Sequence, residues 1–209
     1  MPKQSITYLS ETIRIGLWSI TETLEDFFLR YSYLTDYRDE VEKNFKADNR
    51  KREYLAVRAL LYEMTSGNGR ILYDGDGSPY LIDGQFCSIS HTRGYAVLII
   101  SEMFPVGIDI EYYSSRVEKI ADRFIRTDEK AETIMLKLIH WSAKEALFKL
   151  FHNDRLDYFD MKLRPFTEEK SGAIIAENLK FGTVQDIYYI IDDEYVLTYC
   201  IELSPTKLC

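Results

Sequence analysis

The sequence predicts an α+β fold built from two similar halves. The main observation is an order of elements, one strand, two helices and then a run of strands, that occurs twice along the chain. The change-over falls near residue 103, and no long linker or low-complexity stretch separates the copies. The third is size: 209 residues with 46% hydrophobic content can bury one sizeable core, or two small ones sharing an interface. The expected domains are 1–102 and 103–209, and the interface between such halves is the natural place for a ligand cleft.

The first strand is expected at 12–20, TIRIGLWSI, which alternates and is rich in branched and aromatic residues. Helices follow at about 21–33 and 38–64. In the second, Tyr54, Val57, Leu60, Leu61 and Met64 recur at spacings of three and four, and Gly67-Asn68-Gly69 ends it. Short strands then run to about 101. Asp74–Pro79 and Asp83-Gly84 are read as turns, and 86–90 with 95–101 as a hairpin about His91-Thr92-Arg93-Gly94. Pro105 opens the second half with a strand at 106–111 and helices at about 115–124 and 127–152. Strands are expected near 158–163, 173–178, 186–191 and 195–203.

Several function classes are excluded. The longest apolar runs, such as GYAVLIIS, are strand-length and far short of the roughly 20 residues a membrane helix needs. The amino-terminal stretch is polar where a secretory signal would be apolar, so a soluble cytoplasmic protein is expected. Cys87, Cys200 and Cys209 are odd in number and widely spaced, hence free thiols. His91, His140 and His152 lack the spacing of a zinc hydrolase helix. A net charge of −8 argues against a nucleic-acid binder.

Chemistry concentrates in three segments. In Val106-Gly107-Ile108-Asp109-Ile110-Glu111, side chains two apart share a face, so the two carboxylates lie side by side with the isoleucines opposite. They are either the polar side of an edge strand or, in a cleft, a pair whose repulsion a hard divalent cation would relieve. In His140–Lys149, HWSAKEALFK, Trp141, Glu145 and Lys149 fall at i, i+4 and i+8 of a helix, with Lys144 beside them. That stripe is either a surface ion pair next to a core tryptophan or the source of a third metal ligand, Glu145. In Ser88-Ile89-Ser90-His91-Thr92 a strand ends in a hydroxyl and an imidazole, as a capped turn or as donors to a phosphate.

Together these segments resemble the two-domain, Sfp-type 4′-phosphopantetheinyl transferases. The residues that carry the resemblance are Ser90-His91, Gly107–Glu111 and Trp141-Ser142-Ala143-Lys144-Glu145-Ala146-x-x-Lys149, across the middle third of the chain. The resemblance implies a pseudo-twofold α+β architecture and makes Asp109, Glu111 and Glu145 the ligands of Mg²⁺. Ser90 and His91 would contact coenzyme A phosphate, Lys149 its pyrophosphate, with Lys144 assisting. Glu129 falls where relatives carry the base for the incoming serine. The basic cluster Asn49-Arg50-Lys51-Arg52 gains a meaning too, because Arg50 or Arg52 would hold the 3′-phosphate. The chain departs from the family at Gly77-Ser78-Pro79, where a lysine is usual in place of Ser78.

The implied reaction moves phosphopantetheine from coenzyme A to a serine of an acyl or peptidyl carrier protein, releasing 3′,5′-ADP, in a monomer with no nucleic-acid or membrane partner. A Mg²⁺-dependent pyrophosphate hydrolase could use the same carboxylates. A non-catalytic coenzyme A- or carrier-binding module is the other alternative.

Overall fold

The computed structural model describes residues 3–203 and 206–207, so the thiol expected at Cys209 lies outside the described residues. The chain divides into two compact units, Met1–Glu102 and Met103–Cys209. Each combines one antiparallel sheet with helices, in agreement with the α+β expectation. Among the described residues no helix is long and apolar enough to cross a membrane.

In the first unit β1 (Lys3–Tyr8) and β2 (Ile13–Ser19) lead into α1 (Leu24–Arg30), a 3-10 turn at Ser32–Tyr37, α2 (Arg38–Asn44) and α3 (Asp48–Thr65). Strands β3 (Ile71–Tyr73), β4 (Pro79–Leu81), β5 (Phe86–Thr92) and β6 (Tyr95–Ser101) complete it, in the sheet order β1-β2-β6-β5-β4-β3. Strand β1 was not anticipated, because its polar sequence shows no apolar run. The helix expected over 38–64 is two helices: Phe45 and Ala47 are extended, which breaks the helical bonding without proline or glycine. The hairpin turn is tighter than expected. His91 belongs to β5, opposite Ala96, and only Arg93 and Gly94 form the turn.

The apolar face of α3 packs on the sheet, so Leu55, Ala59 and Leu60 are fully buried with Trp18, Phe27 and Leu98. The approach is close at Gly16 of β2, where an added Cβ would stand 2.6 Å from the Met64 sulfur and 2.9 Å from Leu60. The helix ends where Ser66 and Gly67 adopt positive φ.

The second unit runs β7 (Val106–Tyr112), a 3-10 turn at Ser115–Arg123, α4 (Ile134–Leu150), then β8 (Met161–Leu163), β9 (Ser171–Asn178), β10 (Thr183–Ile191) and β11 (Tyr195–Ile201). A short β12 (Thr206–Lys207) pairs with β10 off the main order β7-β11-β10-β9-β8. The helix expected from 127 begins at Ile134, capped by the Thr133 hydroxyl, which accepts from the Leu136 N–H. The stretch before it is instead held by side-chain bonds. The segment at 158–160 is 3-10 before β8 starts. A core of Phe124, Leu138, Ile139, Ala143, Leu147, Ile187 and Val196 lies between α4 and the sheet.

If β1 is set aside, both units have one strand order: first strand, last strand, then the rest in reverse sequence. The sheet order is thus repeated, whereas the helices between the strands are not: among the described residues the first unit has α1, α2 and α3 and the second has α4 after a 3-10 turn.

Candidate active site

The three carboxylates come together because α4 lies directly on β7. Gly107 makes this possible: an added Cβ would stand 2.0 Å from the carbonyl oxygen of Ala146, inside any tolerable contact. Alternation then turns Asp109 and Glu111 toward the same helix, while Ile108 and Ile110 point the other way and are buried. The helical stripe meets them residue for residue. Trp141 Nε1 donates to Glu111 Oε1 at 2.7 Å, and Lys149 Nζ donates to Asp109 Oδ1 at 2.8 Å and to the Ile108 carbonyl at 2.9 Å. Glu145, between them on the helix, accepts a hydrogen bond from the Tyr158 hydroxyl.

Tyr158 was not anticipated from the sequence. It lies 13 residues beyond Glu145 in a 3-10 turn, with no periodic relation to the stripe. Its ring packs against Trp141, which packs against Phe124, with centroids 5.3 and 5.1 Å apart. Two carboxylates are thereby oriented by an aromatic cluster and the third by a lysine.

Charge is concentrated here at some cost. Burial, then the Asp109 charge, pushes the Glu111 carboxyl up to about 7, with the Trp141 hydrogen bond opposing and Glu145 adding to the rise. The Glu145 carboxyl is also raised, first by burial and then by Asp109, against the Tyr158 hydrogen bond. Among the described residues no three His, Cys, Asp or Glu side chains form a ready metal cage as they stand. The donor chemistry nonetheless fits a hard cation: all three groups are carboxylates, and two are raised in part by their neighbours' negative charge.

Glu129 and Lys144 pair with each other. Their side chains form an ion pair at 2.7 Å in which neither is exposed. Lys144 also donates to the carbonyls of Phe124 and Tyr158. Glu129 accepts from the backbone N–H groups of Arg126 and Leu163. Both oxygens of Glu129 are thus engaged, and Lys144 turns into the core while its neighbour Glu145 turns to the carboxylates.

Two family models match the chain: the 4′-phosphopantetheinyl transferase superfamily over residues 105–200 and the 4′-phosphopantetheinyl transferase N-terminal domain over 41–101. The chain belongs to the 4′-phosphopantetheinyl transferase superfamily. It is therefore a transferase. Enzymes of this superfamily act on coenzyme A and carrier proteins, and they typically use a divalent metal. Comparison with curated proteins returned no match.

The superfamily match in the second unit spans all three carboxylates, and the N-terminal match spans Arg50, Arg52, Ser90 and His91. In this transferase the two arginines behave differently. Arg50 Nη1 comes within 2.8 Å of the His91 ring, and Glu53 bridges both, at 3.0 Å from Arg50 and 3.2 Å from His91. Arg52 instead donates to the Asn49 side chain and, at 3.3 Å, to the Glu22 carbonyl. Ser90 and His91 do not share a face. Successive residues of a strand alternate, so His91 lies on the face of Cys87 and Ile89, which pack into the α3 core. Ser90 is on the other face and buried. Ser78 closes the β3–β4 turn, its N–H donating to Asp74 Oδ1 at 2.8 Å beside Gly77 at positive φ.

Proposed function

We propose that this protein transfers the 4′-phosphopantetheine arm of coenzyme A to a serine of an apo acyl or peptidyl carrier protein, releasing 3′,5′-ADP, as an Sfp-type enzyme. The observation that carries the reading is the set of three carboxylates, Asp109, Glu111 and Glu145, drawn onto one face between β7 and α4 and each oriented by its own donor. Such a set is hard to explain as a solvated strand face, since Asp109 is only 3% exposed.

In this reading the three carboxylates hold Mg²⁺, which when bound supplies Lewis-acid polarisation of the pyrophosphate. Phosphoryl transfer depends chiefly on alignment and on neutralised charge, and the side chains are suited to both. Lys149 keeps a cation beside Asp109, where it can offset charge on the leaving side. Arg50 and His91, already in contact, are proposed to take a phosphate of coenzyme A, with the planar guanidinium as the main contact. Glu129 and Lys144 are assigned to bracing α4 against the 124–129 loop and β8. Every residue named lies in one chain, so the reading needs no second subunit.

The test is mass spectrometry of an apo carrier protein incubated with coenzyme A, Mg²⁺ and this protein. A gain equal to one phosphopantetheine on the carrier serine is expected, and its loss in Glu145→Gln. No gain on any carrier from the same cell would sink the reading. Steady release of 3′,5′-ADP without a carrier would point to hydrolysis instead.

A further inference from the structure

We propose that a cavity of about 390 Å³ beside α3, lined by Arg58, Leu61, Tyr33, Tyr37 and Tyr62, is a binding site for a small planar aromatic carboxylate. Its volume lies in the range of small-molecule sites. The reading is independent of the proposed transfer residues. Arg58 lies eight positions beyond Arg50, about 12 Å farther along the same helix.

Arg58 is the first reason. It is only 6% exposed, yet among the described residues its guanidinium has one hydrogen bond, to the Tyr73 hydroxyl at 3.3 Å, and otherwise meets the faces of Tyr54 at 3.4 Å and Tyr37 at 6.0 Å. Among the described residues no carboxylate stands within ion-pair distance of it. The other buried cations differ: Lys51 meets Glu42 and Lys144 meets Glu129. A buried guanidinium without a counter-ion is unfavourable, and an anion entering the adjoining cavity would supply one in bidentate geometry.

The walls define the rest of the ligand. Tyr33 and Tyr62 are stacked, with centroids 3.7 Å apart and planes within 5°, and both line the cavity with Tyr37, which gives it an aromatic wall suited to a planar ring. The Tyr33 hydroxyl is buried and has no hydrogen-bond partner among the described residues, which leaves a donor for a ligand oxygen. Asp36, Glu40 and Arg70 also line the cavity, so with Arg58 the formal charges of its walls cancel, and a singly charged carboxylate is better suited than a doubly charged phosphate.

Benzoate is the probe, titrated into the full chain and followed by NMR, with inorganic phosphate as the comparison. Saturable binding is expected, with nuclear Overhauser contacts from the benzoate ring to Tyr33 or Tyr62, while phosphate neither saturates nor competes. Arg58→Gln should weaken benzoate at least tenfold. Arg58 is buried and that variant could unfold, so Tyr62→Ala, at a side chain 41% exposed, provides a second reading and should weaken binding severalfold. The inference is overturned if benzoate does not bind, if its contacts fall outside this cavity, or if Tyr62→Ala binds as the parent does. Phosphate competing at equal strength would overturn the aromatic part of the assignment.

Discussion

At Glu111, a proton and the proposed cation would compete for one carboxylate. Its folded value is raised from about 4.5 to about 7, so between those limits the folded state binds more protons than the unfolded chain. The stabilising contribution of the protonated form is therefore complete below about pH 4.5 and is lost as pH rises through 7. The loss is on the order of 3 kcal/mol by linkage, shared with its neighbours. In metal-free protein, thermal melts from pH 5 to 8 should show falling stability, and Mg²⁺ should restore it most at the alkaline end. A melting profile independent of both variables would count against the three-carboxylate reading. Gly107 supports a second prediction. Gly107→Ala places a Cβ against the Ala146 carbonyl, and α4 must move away. A loss of about 2 kcal/mol or more and a fall in transfer of about a hundredfold are expected, from urea denaturation and the carrier assay. Gly16→Ala is the matched control, because there the new methyl meets side chains that can turn aside. It should cost less and leave transfer nearly intact.

Element periodicity accounts for what could be read from the sequence. The stripe Trp141, Glu145, Lys149 and the pair Asp109, Glu111 were legible because helices and strands repeat at fixed intervals, and the fold only had to bring those two faces together. Contacts that skip along the chain were not legible in that way. Nothing local marks Tyr158 as the partner of Glu145, or Glu129 as the partner of Lys144. The break at Phe45–Ala47 was equally hidden, since no proline or glycine signals it and the apolar spacing continues on both sides. The Glu129–Lys144 pair separates two roles experimentally. A brace predicts that Glu129→Gln costs about 3 kcal/mol in urea denaturation, and that adding Lys144→Met recovers much of it, because one buried charge is no longer left alone. A serine base predicts unchanged stability with loss of the acidic limb in the rate profile.

For the molecule as a whole, the α+β fold and its two-part order followed from where strands, helices and turn residues fall, while the sheet order needed the pairing itself. The shared order β2-β6-β5-β4-β3 and β7-β11-β10-β9-β8 also allows the two units to be compared position by position. Each has a glycine in its first strand under its long helix, Gly16 and Gly107. Two residues on, the first unit has Trp18, wholly buried in its core, and the second has Asp109; two further on stand Ile20 and Glu111. The same scaffold thus appears once insulated and once electrified. At these two positions the first unit keeps core side chains where the second carries carboxylates, so swapping the pair between the units, Trp18 and Ile20 for Asp109 and Glu111, changes the charge of a strand without changing its place in the sheet.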